Sequence, residues 1–494
     1  MRLQRLLPLV FVAVAFLTAA AAAREGRQPD AASPGLFELI PKDAVTDHVL
    51  STDAGPLPYT ATAGTIDLYG QDGKVGARLF YTAYVAKDGK GRRPLTFAFN
   101  GGPGAASAYL HLGMAGPRVV ALGPGRNDGT TPELSDNPDS WLAFTDLVFV
   151  DPVGAGWSRA AGSDVAARFY GVRQDAESLA KFIALYVQEN DRLASPKYLL
   201  GESYGGFRAA KLAAALKSQQ GILVSGVLMV SPMIDGRYLL SADADPLTAA
   251  LVLPSLAAAT LERAGRFSRE RVAETEHFAM TDYLVALAGA PPSGPAAGAF
   301  YTRVAEATGL PVAAVAQSRG FVASLYAKQA AAGAVLSPYD AGHAAPDAYP
   351  EQTDARNDDP VLDGYTRAYG AAFAAYARNE LGFRTGLTYT LLNGEANRRW
   401  DWGGRRAEAA ASGDLHDLLS VTPSFRLAIF HGYSDILTPY GVSRYILDHL
   451  PQALAEGRVS LSLHRGGHMF YTDPVARREA ADAARAFFAG AGAD

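Results

Sequence analysis

No cysteine occurs anywhere in the 494 residues. Disulfides, a lipidated cysteine and thiolate metal sites are thereby excluded, so the stability of the fold rests on its core. Charge is sparse as well. Asp, Glu, Lys and Arg make up 19% of the chain, the net charge is −5, and no run or stripe of Lys and Arg occurs. Nothing in that pattern suits a nucleic-acid backbone. Beyond the first two dozen residues no stretch is long and apolar enough to cross a bilayer. What remains is a 49% apolar composition, that of a globular protein large enough for one big core, or for one core carrying a large insertion.

The amino terminus reads as a targeting segment. Arg2 and Arg5 precede an apolar run over residues 6–17 and a small-residue stretch over 18–23. That is the layout of a signal peptide (residues 1–23) with an A-x-A site near Ala21 and Ala23. An uncleaved anchor is the alternative, but the run is short for a span. Residues 24–35 read as a flexible leader. Export without disulfides fits a periplasmic or secreted bacterial protein, with no stable membrane association once the signal is removed.

From residue 36 the pattern is β-rich, with a hairpin expected over residues 64–85 around Gln71-Asp72-Gly73. Short apolar strands at 95–99, 147–150, 198–200 and 227–230 then alternate with loops or helices, as in a mostly parallel sheet covered on both faces. Residues 236–423 change character. Their Ala-rich helical segments predict a cap inserted into the core, with a second independent domain as the alternative. Strand signals return at 426–430 and 458–463, so the core comprises residues 36–235 and 424–494.

The most informative motif is Gly201-Glu202-Ser203-Tyr204-Gly205, which follows an apolar run and precedes a helix-compatible stretch. Strand, G-x-S-x-G and helix make a turn so sharp that glycines must flank the serine, whose hydroxyl then stands exposed. A serine hydroxyl is a poor nucleophile until a histidine takes its proton and a carboxylate orients that histidine. In this arrangement the acid and then the histidine come later in the chain, each after a strand. Asp435, in His431-Gly432-Tyr433-Ser434-Asp435, and His468, in Arg465-Gly466-Gly467-His468-Met469, both fit. His464 and His431 are competing histidines, and Asp448 is a competing acid. Charge developing on an attacked carbonyl needs backbone N–H donors. Tyr204, next to the nucleophile, is one, and Gly102 in Asn100-Gly101-Gly102-Pro103-Gly104 is the expected other, unless that loop is only a tight turn. No metal-site spacing or phosphate loop occurs, so no cofactor or metal is implied.

These motifs together resemble the serine carboxypeptidase family, cathepsin A-like members of the α/β-hydrolase fold. Residues 100–104 are similar to its N-G-G-P-G, and Asn137-Pro138-Asp139-Ser140-Trp141 to its N-P-x-S-W. Residues 151–158 resemble its D-Q-P-V-G-x-G-F-S, one residue shorter. Residues 201–206 read G-E-S-Y-G-G, and residues 466–469 echo its G-x-G-H-M. The resemblance implies an α/β-hydrolase fold with a mostly parallel central sheet and a helical cap insertion. It implies a Ser203–Asp435–His468 triad with Gly102 and Tyr204 as oxyanion donors, and a peptide substrate cut at its carboxy-terminal residue. It also implies that Asn100 and Glu202 hold the substrate's terminal carboxylate. The family's second glutamate falls at Met114, and its tryptophan at Ala98. Two carboxyls that share a proton can bind a carboxylate in acid. Glu202 without its partner points instead to an altered pH profile, or to a substrate with no free terminal carboxylate, with Arg118 or Arg208 as compensating cations unless they are simply exposed arginines on helices. An esterase or acyltransferase on the same scaffold is the alternative function. A binding protein without catalysis is the more distant one.

Overall fold

In the computed structural model the described residues are 35–87, 92–122, 129–353 and 359–490. The proposed signal peptide and nearly all of the leader lie outside them. Nine strands form the main sheet: β1 (Ala44–Thr52), β2 (Gly55–Tyr69), β3 (Val75–Ala86), β4 (Leu95–Phe99), β5 (Asp146–Val150), β6 (Lys197–Glu202), β7 (Gly226–Val230), β8 (Arg426–Gly432) and β9 (Val459–His464). Their order is β1-β2-β3-β5-β4-β6-β7-β8-β9, and a short strand, Arg159–Ala160, pairs on β3 as a tenth. The first three strands run antiparallel to their neighbours. From β5 to β9 every pairing is parallel.

Both faces of the parallel part are buried except at the edge strand β9, and the two-residue period of a strand divides its side chains between two cores. Phe97 and Leu199 face one core, whereas Ala98 and Leu200 face the other. Helices α1 (Val172–Glu189) and α2 (Tyr204–Ala215) supply the first layer. Two later helices supply the opposite layer: α4 (Pro360–Asn379), through Tyr369, Phe373 and Tyr376, and α6 (Pro474–Ala489), through Phe487 and Phe488.

The hairpin expected around Gln71-Asp72-Gly73 forms between β2 and β3. Strand β1 and the first half of β2 carry no comparable signal. Along β1 the residues are mostly half-buried or exposed. Pro56 and Pro58 also sit in β2, where a proline normally argues against a strand. Those prolines face β1 at the sheet's edge, opposite Ser51 and Val49.

Residues 236–423 lie between β7 and β8 and divide into two parts. The first is built on α3 (Pro246–Arg263), buried around most of its circumference, and packs a separate cluster with Phe278, Tyr283, Val304 and Tyr326. The second contains α4 and belongs to the sheet's own core. Between them runs the segment 337–341, tied to the loops after β8 and β9 by Ala341 N–H to Ser434 O (3.2 Å) and His468 N–H to Tyr339 O (2.5 Å).

Three helices start on an aspartate whose carboxylate takes up otherwise unpaired N–H groups. Asp245 caps α3, Asp359 caps α4 and Asp473 caps α6. Removing an exposed cap costs about 1 kcal/mol. Asp473→Ala should therefore lower the unfolding free energy by that amount, read in urea as a lower midpoint with the slope of the transition unchanged.

Candidate functional site

Strand β6 ends at Glu202 and α2 begins at Tyr204, so one residue makes the turn between them. That residue, Ser203, has φ 60° and ψ −125°, a conformation costing about 1–3 kcal/mol for a residue with a side chain. Its surroundings enforce it. The Ser203 N–H donates to Val230 O (2.9 Å), and its carbonyl accepts from Gly206 N–H (3.0 Å) and Met233 N–H (3.1 Å). Close approach does the rest. A Cβ on Gly205 would stand 2.5 Å from Phe99 O, and one on Gly101 would stand 2.7 Å from Tyr204 N. The glycine loop after β4 therefore lies directly against the elbow, with Gly102 at φ 97°.

Asp435 and His468 arrive from the loops after β8 and β9. Asp435 is fully buried, and His468 almost so. The imidazole Nδ1 lies 2.9 Å from Asp435 Oδ2. An ionised carboxylate only accepts, so Nδ1 carries the proton and Nε2 is left as the basic nitrogen. Asp435 is itself held: Oδ1 accepts from Leu437 N–H and Thr438 N–H, each at 2.9 Å, and Oδ2 accepts from the Thr438 hydroxyl at 2.7 Å. Burial alone would lower the proton affinity of His468. The charge and hydrogen bond of Asp435 outweigh it, and the imidazole sits above its ordinary value. The ring is fixed on its other side by Tyr339, packed edge-on at 5.1 Å between centroids.

Asn100 and Glu202 meet beside the serine. Asn100 Nδ2 donates to Glu202 Oε2 at 2.5 Å, and the Tyr471 hydroxyl donates to the same oxygen at 2.8 Å. Burial pushes the Glu202 carboxyl up to about 7, against the opposing effects of His468, Tyr471 and Asn100. Met114 and Ala98 are completely buried in the apolar core, and no second carboxyl faces Glu202 from those positions. Neither arginine considered as a compensating cation is available. Arg208, expected on an exposed helix face, is buried: its Nε donates to Asp175 (2.6 Å), and its guanidinium also bonds the Asn100 carbonyl. Arg118 is engaged by Asp136 and Glu380.

A cavity of about 40 Å³ is lined by Asn100, Gly102, Glu202, Ser203, Tyr339 and His468, among others. The competing residues lie elsewhere. His431 bonds Ser443 (2.7 Å) and is pushed down to about 3 by burial. His464 stacks on Phe470 at 4.7 Å. Asp448 is exposed on α5 (Tyr440–Asp448). A larger cavity, about 860 Å³, meets the His468 loop at Arg465, Gly466 and Phe470 and is lined by neither Ser203 nor His468. Thr438, Tyr339 and Tyr471 escape a reading of the sequence. Thr438 follows Asp435 by three residues, a spacing at which a hydroxyl reaches back to a carboxylate. For the other two no local signal exists.

A family model described as serine carboxypeptidase matches residues 55–462. The chain belongs to the serine carboxypeptidase family. The match takes in Ser203 and Asp435 and ends six residues short of His468, which the fold itself carries to the site. Serine carboxypeptidase-like 44 of Arabidopsis thaliana is 33% identical over 173 residues, 34% of each chain. The pheromone-processing carboxypeptidase KEX1 of Cryptococcus gattii serotype B is 31% identical over 181 residues, 35% of this chain and 24% of that one. The matched stretches thus span about a third or less of those two relatives' lengths. The crystal structure of a prohormone-processing carboxypeptidase from Saccharomyces cerevisiae aligns over 87% of this chain and 91% of its own, with TM-score 0.53 and 15% identity. At that identity the likeness is one of fold, and the fold is that of the α/β-hydrolases.

The Arg208–Asp175 pair underlies the glycine loop and is wholly enclosed. Removing one member of a buried pair strands the other, at a cost of about 3–5 kcal/mol. Arg208→Met should lose stability on that scale in urea denaturation, and Arg208→Met with Asp175→Leu should recover part of it.

Proposed function

We propose that the protein is an exported serine carboxypeptidase that removes carboxy-terminal residues from peptides through an acyl-enzyme on Ser203. The observation that carries this reading is the single cavity in which Ser203, at its strained turn, and the Asp435-anchored His468 stand together. His468 Nε2 takes the Ser203 proton as Oγ attacks the scissile carbonyl, and Asp435 stabilises the imidazolium that forms. The N–H groups of Gly102 and Tyr204 receive the oxyanion. Tyr204 N–H suits that task because the first N–H groups of a helix have no intrahelical acceptor. Collapse of the intermediate passes the proton from His468 to the leaving amine. Water, deprotonated by the same ring, then frees the acyl group and restores Ser203.

Asn100 and Glu202 are the groups that meet the substrate's carboxy terminus. Glu202 is supported in that role by its place beside Ser203 and its proton affinity near neutrality. The run of positive and apolar residues in 1–23 supports export. A second reading, an esterase or acyltransferase on the same machinery, draws on one feature: Met114 and Ala98 stand where the family pattern has polar or hydrogen-bonding side chains.

The test is to incubate peptides that have free carboxy termini and blocked amino termini with the enzyme, and to follow the products by mass spectrometry. Stepwise loss of residues from the carboxyl end is expected. Ser203→Ala or His468→Ala should reduce kcat by about 10⁴-fold or more. Turnover of activated esters with no peptide shortened would favour the second reading. On an ester, which has no carboxy terminus to recognise, the rate should rise with pH. Its midpoint should lie above the ordinary imidazole value, because His468 must lose a proton that Asp435 helps it keep.

A further inference from the structure

Glu202 is 3% exposed and is the last residue of β6, directly before Ser203. Its two carboxylate oxygens are unequal. Both protein hydrogen bonds, from Asn100 Nδ2 and from the Tyr471 hydroxyl, end on Oε2. Neither can reverse direction. The Asn100 amide is oriented by its own Oδ1, which accepts from Leu110 N–H at 3.0 Å, so Nδ2 must be the end that faces Glu202. The Tyr471 hydroxyl is fully buried, and among the described residues the acceptor for its proton is Glu202 Oε2. Two donors fill the two lone pairs of Oε2. A proton on this carboxyl therefore belongs to Oε1, the oxygen that neither bond occupies, in a residue that lines the cavity together with Ser203.

We propose that Tyr471 is a positioning residue for substrate recognition: by occupying Glu202 Oε2 it turns the other carboxyl oxygen, with its proton, toward the carboxy terminus of a bound peptide. The proposal rests on the serine carboxypeptidase reading above and deepens it. A neutral Glu202 donates a hydrogen bond to a terminal carboxylate. An ionised Glu202 only accepts; it repels a carboxylate but tolerates the N–H of a carboxamide. One carboxyl with a phenol behind it thus works as a proton-gated selector between acid and amide termini, close to neutral pH, where burial has moved its titration. The groups that face Glu202 come from several elements. They are His468 and Asp435 on the loops after β9 and β8, Tyr109 after β4, Tyr339 on the segment 337–341, and Tyr369 on α4. His468 opposes protonation of Glu202, and Asp435 favours it.

The experiment compares one peptide with a free acid terminus and the same peptide as its amide, taking the ratio of their kcat/KM values from acid to alkaline pH. The titration of His468 is common to both substrates and cancels in the ratio. For the native enzyme the ratio should favour the acid at low pH and fall through a midpoint near 7. Tyr471→Phe removes a donor that favours the ionised form, so the midpoint should move upward. The low-pH preference should shrink by about two- to tenfold, the worth of one hydrogen bond, because the proton is no longer confined to Oε1. Glu202→Gln should leave a ratio that does not vary with pH. A pH-independent ratio in the native enzyme overturns the proposal, as does a Tyr471→Phe enzyme with midpoint and preference both unchanged. If Tyr471→Phe does not fold, Tyr471→Met, which also lacks the hydroxyl, takes its place with the same shift in midpoint and loss of preference expected. Should neither peptide be cleaved while an activated ester is turned over, the peptidase reading falls and takes this proposal with it. If both peptides are cleaved at a ratio independent of pH, the proposal alone falls.

Discussion

The structure depends on one enforced backbone turn. Ser203 has a conformation that its own side chain disfavours, and it stays there because β6 and α2 are each anchored in a core. The turn also requires bare backbone around it. Gly205 lies against the end of β4, and Gly101 lies against the first N–H of α2, at distances where no side chain fits. The strain is local and the stabilisation is distributed, which is how a packed fold can sustain an unfavourable φ at one position.

The second constraint is electrostatic. Around the elbow the protein buries Glu202, Asp435, His468, Asp175 and Arg208, and each of these groups is costly without a partner. Asp435 is satisfied by His468, Thr438 and two backbone N–H groups, so it can remain an acceptor and hold the imidazole in one tautomer. Arg208 and Asp175 neutralise each other beneath the glycine loop, and the guanidinium is tied to the Asn100 carbonyl. Glu202 is the exception. Among the described residues it has hydrogen bonds but no countercharge in contact, and its carboxyl holds a proton up to about neutral pH. Where the family pattern sets a second carboxyl, this chain has a buried methionine, and a tyrosine from the far end of the chain supplies the hydrogen bond instead.

The sequence makes the order of strand, turn and helix at 197–215 legible, together with the glycine loop at 100–104, because local spacing determines both. The acid and histidine are readable from chain order, since loops after successive parallel strands open on the same edge of a sheet. Other features depend on approach in space and leave no local trace. Tyr471 and Glu202 are 269 positions apart. Tyr339 reaches His468 from a segment whose neighbours pack elsewhere. Arg208 reads as a solvated helix residue until α1 brings Asp175 against it. Strand β1 is missed because an edge strand that is half-exposed has little hydrophobic alternation to show. The division of residues 236–423 between a separate cluster and the sheet's own core is likewise invisible in composition, since both parts are alanine-rich helices.

The most direct measurement of the central claim is mass spectrometry of the native protein after exposure to a fluorophosphonate. Such a probe bonds only to a serine whose hydroxyl is activated. The account predicts a single adduct, located on Ser203, formed more slowly as the solution is acidified and His468 takes up a proton, and absent from the protein in denaturant. A folded protein that forms no adduct, or forms it on another residue, would contradict the account.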